Sequence, residues 1–215
     1  MYAPEDGGMG FYALSKSVSY APRRLTVLLD DATKDIADNN YKHCFVVNKL
    51  DHYIYTVMVR GQLVRIKPNT RTCELLLKKV GTSTRPDACD SYCAFSPVKG
   101  QENMLYIAMA EGNQIWRVDV GNLEGKDKNT YPGEGYAGKA IVEGQVAGKG
   151  WEDGLLRNAK FNNPHQICFT EDGKLYIADC GNNCIRVIDT RLSIDKATVS
   201  TPIGLPGMKG YKDGG

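Results

Sequence analysis

The sequence has no apolar run near the ~20 residues that cross a membrane as a helix. Its first residues, MYAPEDGGMG, carry neither the basic start nor the apolar stretch of a secretion signal. Histidine is scarce, with three in 215 residues. A catalytic zinc site usually takes three protein ligands, and His52 falls in a turn on the face opposite His43 and His165, so no metal is expected; no other cofactor is assigned. Neither charge dominates: 27 Lys and Arg stand against 25 Asp and Glu, for a net +2. The only dense basic spots are Arg23-Arg24 and Lys78-Lys79. A nucleic-acid domain usually shows a basic face or stripe, so nucleic acid is not an expected partner. P-loop, H-E-x-x-H and ordered Ser-His-Asp motifs are all missing. No pair of carboxylates is placed by the sequence for acid–base work, and no catalytic residue is assigned. The seven cysteines are an odd number. A complete disulfide framework needs pairs, so buried free thiols are the expectation.

What the sequence does have is glycine, 23 of them, gathered in short clusters between alternating apolar runs. Many short strands joined by Gly-rich turns indicate an all-β fold. The segment GKLYIADCGNNCIRVID (173–189) reads as two strands about a turn, because Gly and Asn tolerate positive φ. Shifted back by 70 residues, it falls on NMLYIAMAEGNQIWRVD (103–119); shifted by 122, it falls on HYIYTVMVRGQLVRIK (52–67). A second marker follows another spacing: GQVAGKGWEDG (144–154) returns 60 residues later as GLPGMKGYKDG (204–214), with Trp151 matched by Tyr211. A polar, turn-rich insertion near 121–137 accounts for the unequal spacings. Each unit reads as four strands, A to D. They are expected near 165–170, 174–179, 184–189 and 197–203 in the third unit, and near 92–97, 103–109, 113–119 and 138–144 in the second. In the first they are expected near 43–49, 52–58, 61–67 and 71–79.

Four-stranded units repeating along a chain are the signature of propeller blades. The chain therefore divides into a partial blade and connecting loop (1–42), a blade (43–91), a blade with the insertion (92–164), and a blade with the start of the next repeat (165–215). A blade cannot bury both faces alone. Leu105, Ile107, Ile115, Leu175, Ile177, Ile185 and Val187 are the expected blade-to-blade core, with Trp116 wedged between blades.

Residues 148–189 resemble an NHL repeat: a G-aromatic-x-D-G turn, A-x-F-x-x-P, D-G-x-L-Y-I-A-D, then G-N-x-x-I-R-x-I. The second unit matches more loosely, with Met109 where the third has Asp179, and the first more loosely still. With GLPGMKGYKDGG, the chain is similar to the NHL-propeller proteins of gut Bacteroidetes, which often follow a TIG domain on a surface lipoprotein. The resemblance implies an NHL-type β-propeller of about six blades, about three and a half of them present here, and a place at the cell surface or in the periplasm on an outer-membrane lipoprotein. Both ends of the sequence break inside the repeat pattern, so a fragment of a longer protein is expected.

In a blade, D-to-A and B-to-C connections share one face. Trp151, Asn162, Asn163 and His165 are thereby placed with Asp179 and Asn182, and these six are the candidate ligand-binding residues. Amides, a carboxylate, imidazole and an indole can hydrogen-bond and stack with a sugar or a peptide. A second account has Trp151 packing its own turn and Asp153 tying that turn to backbone N–H groups. His43 and His165 begin equivalent inner strands, and Cys89/Cys93 and Cys180/Cys184 form two C-x₃-C pairs, a weaker spacing than the C-x₂-C of zinc ribbons. The expected function is a non-catalytic scaffold for a glycan or protein ligand. The alternative is a propeller enzyme such as a metal-dependent lyase or lactonase. Self-association through open blade faces is a further expectation.

Overall fold

In the computed structural model, residues 10–13, 23–26, 28–29, 44–58, 61–81, 91–138 and 148–210 are described. Three sheets carry the architecture. The first is built from β4 (Val46–Val47), β5 (Ile54–Val57), β6 (Leu63–Lys67) and β7 (Thr72–Leu77). The second is β8 (Ser91–Phe95), β9 (Met104–Met109), β10 (Gln114–Asp119) and β11 (Glu134–Ala137). The third is β13 (Pro164–Phe169), β14 (Lys174–Asp179), β15 (Cys184–Asp189) and β16 (Thr198–Ile203). Each is an antiparallel meander in chain order. Short strands extend two of them: β3 (Leu28–Leu29) runs parallel to β7, and β12 (Gly154–Leu155) pairs with β16. A separate hairpin joins β1 (Gly10–Ala13) to β2 (Arg23–Thr26). The described residues hold no α-helix.

The period-2 geometry of a strand sends alternate side chains to opposite faces, and in the second sheet both faces are covered. Leu105, Ile107 and Met109 of β9 join Leu63 and Leu77 of the first sheet and Val80 just beyond it. Tyr106 and Ala108, between them in sequence, join Ile167, Leu175 and Ile177 of the third. A strand buried on both sides, in a sheet sandwiched by two like sheets, is a propeller blade; the fold is an all-β propeller fold. Trp116 lies between the first and second blades, where its indole N–H donates to Gln114 Oε1 at 2.9 Å.

Three expectations change. Ile107, Ile115 and Ile177 are buried, but Ile185 and Val187 are only half-buried. They share with Tyr176 the face of the third blade turned away from the second, and no described residue buries that face. Ile115 occupies the same repeat position as Ile185 and differs in having a blade against it. The fourth strand of the second blade lies at Glu134–Ala137, inside the expected insertion; of the range 138–144 only Gly138 is described. Its anchor is Tyr136, edge-on to Tyr106 with centroids 4.9 Å apart and with Arg117 over its ring. Finally, not every thiol is buried: Cys168 and Cys180 are exposed, Cys44 is half-buried, and Cys73, Cys93 and Cys184 are buried. Cys89 and Tyr211 lie outside the described residues.

Candidate functional site

The loops between the second and third blades are organised around one buried charge. Arg186 sits in the middle of β15 with its side chain wholly inaccessible. Ile185 and Val187 flank it on the other face of β15; Arg186 shares with Ile177 and Ile188 the face turned to the second blade. Its Nη1 donates to Asp179 Oδ2 and to the Lys160 carbonyl, each at 2.8 Å. Its Nη2 donates to Asp153 Oδ1 and to the Glu152 carbonyl, also at 2.8 Å. The guanidinium lies 5.0 Å from the centre of the Phe161 ring. A buried guanidinium is tolerable only when paired and hydrogen-bonded in this way; Nε alone lacks a partner.

Asp179, at the end of β14, is the acceptor hub. Its Oδ1 takes the Asn162 backbone N–H at 2.8 Å, and its Oδ2 takes the Asn182 side-chain amide at 2.8 Å as well as Arg186. Burial pushes the Asp179 carboxyl above its ordinary value, against the opposing pull of Asn162, Asn182 and Arg186. Asn182 closes a short 3-10 turn, Cys180–Asn182, and its amide also donates to the Gly150 carbonyl at 2.8 Å. Asn183 follows with φ 56°, the left-handed conformation that asparagine accepts readily. The turn is crowded: a Cβ on Gly181 would come within 2.6 Å of the Asn162 carbonyl oxygen.

The network runs outward to the surface. Asp153 Oδ1 also accepts the Thr201 hydroxyl at 2.9 Å, and Thr201 Oγ1 accepts the Trp151 indole N–H at 3.0 Å. Trp151 itself is 47% exposed. Of the six residues singled out in the sequence, the structure thus brings Trp151, Asn162, Asp179 and Asn182 into one connected set. Within it Asp179 and Asn182 are buried beneath the loops, while Asn162 is half-buried. Asn163 stands apart and exposed; its backbone N–H donates to Asn113 Oδ1 of the second blade at 2.9 Å. His165, half-buried on β13, lies against Tyr92 of β8, with ring centroids 5.5 Å apart and planes tilted by 31°.

Sequence reasoning missed Arg186 and Tyr92. Arg186 was visible only as one letter of the repeat string, and Tyr92 is 73 positions from its partner. The sequence presents Asp153 as a turn residue; in the structure it accepts from the buried Arg186 guanidinium as well as from the Thr201 hydroxyl. His43 lies outside the described residues, and His52 sits in the turn between β4 and β5, at the opposite end of the blade. Among the described residues no three His, Cys, Asp or Glu side chains are grouped to hold a metal ion.

Comparison with known proteins agrees with this architecture. The NHL repeat family model matches residues 161–188. Teneurin-1 of Caenorhabditis elegans is 34% identical over 112 residues, a match covering 52% of this chain and 4% of that protein. A Bacteroides thetaiotaomicron protein of unknown function has a similar structure, with TM-score 0.63, 20% identity, and coverage of 93% of this chain and 43% of that one. An auxiliary nutrient binding protein from the same species gives TM-score 0.53 at 20% identity, over 74% of this chain and 35% of that one. The periplasmic gluconolactonase PpgL of Pseudomonas aeruginosa gives TM-score 0.54 at 9% identity, over 94% and 50%. At these identities the structural likeness establishes the fold, and the chain spans half or less of the length of each of these proteins.

Proposed function

We propose that this chain is a non-catalytic binding scaffold, whose rim between the second and third blades takes a glycan or protein ligand. The observation that carries the reading is the Arg186 network. It ties the rim loops together from below by hydrogen bonds and leaves Trp151, Asn163 and the Tyr92–His165 pair at or near the surface. Pre-formed loops reduce the ordering cost of binding. An indole and an imidazole supply stacking surface, and Asn162 and Asn163 supply amide donors and acceptors. Asp179 and Asn182 act in this scheme as supports. The likeness to a nutrient binding protein points the same way. The resemblance to Bacteroidetes NHL proteins adds the setting: the cell surface or periplasm, as part of an outer-membrane lipoprotein with a TIG domain. No helix among the described residues is long and apolar enough to cross a membrane.

Screening the purified chain on glycan arrays and against surface-protein panels tests this. A ligand found there should lose about tenfold in affinity, ~1.4 kcal/mol, on Trp151→Ala or His165→Ala. Absence of any ligand across broad panels counts against the proposal. The second reading, a metal-dependent lyase or lactonase, draws on the fold shared with a gluconolactonase. Stoichiometric metal in the purified protein together with lactone turnover would favour it over the scaffold.

A further inference from the structure

We propose that Cys44 and Cys93 form a dithiol site that reacts with small disulfides of the oxidised-glutathione class and closes into a disulfide joining the first and second blades. The two residues are 49 positions apart and belong to different blades, yet Cys93 Sγ donates to Cys44 Sγ at 3.9 Å. Cys44 lies two residues before the innermost strand of its blade, and Cys93 lies at the centre of the innermost strand of the next. The blade interface therefore sets the pair, and neither C-x₃-C spacing does.

The two thiols are unlike, and the difference assigns their roles. Cys44 is half-buried and reachable, whereas Cys93 is 5% exposed. The hydrogen bond from Cys93 brings the Cys44 thiol down to about 6, against the opposing effect of burial. The same contact with Cys44, together with burial, pushes Cys93 well above the usual range. An accessible thiolate beside a protonated thiol is the arrangement of an attacking and a resolving cysteine. Cys44 thiolate attacks one sulfur of the disulfide R–S–S–R; the S–S bond breaks and R–S⁻ leaves. Cys93 then loses its proton, and its thiolate attacks the Cys44 sulfur of the mixed disulfide, expelling the second R–S⁻. One leaving thiolate takes up the Cys93 proton, and the other takes up the proton that Cys44 released to solvent on ionising. The protein's two thiols lose two electrons and two protons, and R–S–S–R is reduced to two R–SH.

The full chain is incubated with oxidised glutathione, its remaining thiols are blocked with iodoacetamide, and it is digested without reduction. Trypsin alone leaves Cys89 and Cys93 on one peptide, so an enzyme cutting before Asp90 is added. The expected result is a Cys44–Cys93 cross-linked peptide, two fewer alkylated thiols, and no glutathione retained at Cys44. Cys93→Ala should instead retain glutathione on Cys44. Recovery of Cys44 and Cys93 both alkylated, of stable glutathione on Cys44 in the unaltered chain, or of Cys44 linked to Cys89 overturns the proposal. The mapping of the unaltered chain decides the matter even if the variant fails to fold.

Discussion

At the residue scale, the molecule turns on how it treats charge in two settings. Arg186 and Asp179 are both inaccessible, 2.8 Å apart. Removing one member of such a pair strands the other, at about 3–5 kcal/mol. Arg186→Ala should therefore lower the unfolding free energy by that order in urea titration, and Arg191→Ala, whose pair with Asp189 lies at the surface, should leave it nearly unchanged. Equal effects would show that the Arg186 network is not what holds the rim. Cys44 supplies a pH test. Its thiol lies at about 6 because of Cys93. An acid whose folded value is depressed stays ionised down to that value, so Cys44 should be mostly thiolate at pH 7. Its alkylation by iodoacetamide should hold from pH 8 to 7 and fall as the pH drops through about 6. In Cys93→Ala the midpoint should move up toward the ordinary thiol range, about 8.5. A profile that does not move with Cys93 removes the assigned cause.

At the scale of elements, the second blade shows how a strand escapes notice. Gly133 and Gly135 flank Glu134, and the run YPGEGYA reads as a turn. Gly133 enters β11 with φ 86°, where an added Cβ would lie 2.8 Å from Val118 Cγ2 and 3.0 Å from the Arg117 carbonyl oxygen. The glycine is there so that the outer strand can approach β10. Gly133→Ala combines an unfavourable φ with a clash, and should cost more than ~1 kcal/mol in thermal unfolding. Gly125 has φ 75° and no atom within 4 Å of its added Cβ, so Gly125→Ala should cost less. The loop leading to β11 is held independently: the Asp127 carboxylate accepts from the Asn129 backbone and the Thr130 hydroxyl, and the Lys128 carbonyl accepts the Lys78 N–H of the first blade.

At the scale of the whole molecule, blade stacking decides what is core. Ile177 is fully buried against the second blade. Truncation to alanine there should cost about 2–5 kcal/mol. Ile185 sits on the opposite face with Tyr176, Val187 and the 61% exposed Ile203. A contiguous apolar face of this kind favours association, and we propose that it supports self-association of the isolated chain. Light scattering after size exclusion should show a mass that rises with concentration, and Ile185→Lys should suppress the rise. A concentration-independent monomer would sink this expectation.

The amino-acid sequence determined the all-β class, the four-strand repeat and the positions of most strands, because those follow from period-2 alternation and from Gly and Asn at turns. It also placed Trp151, Asn162, Asp179 and Asn182 at one end of the third blade, since blade topology alone sorts loops to faces. It could not tell which face of a strand is covered, because Ile115 and Ile185 are the same letter in the same repeat position and differ only in what stacks on them. Nor could it show that Arg186 points inward or that Tyr92 lies against His165. The approach of Cys44 to Cys93 was equally hidden. Those are contacts between blades, made by residues dozens of positions apart, and only the packing of one sheet on the next brings them into being.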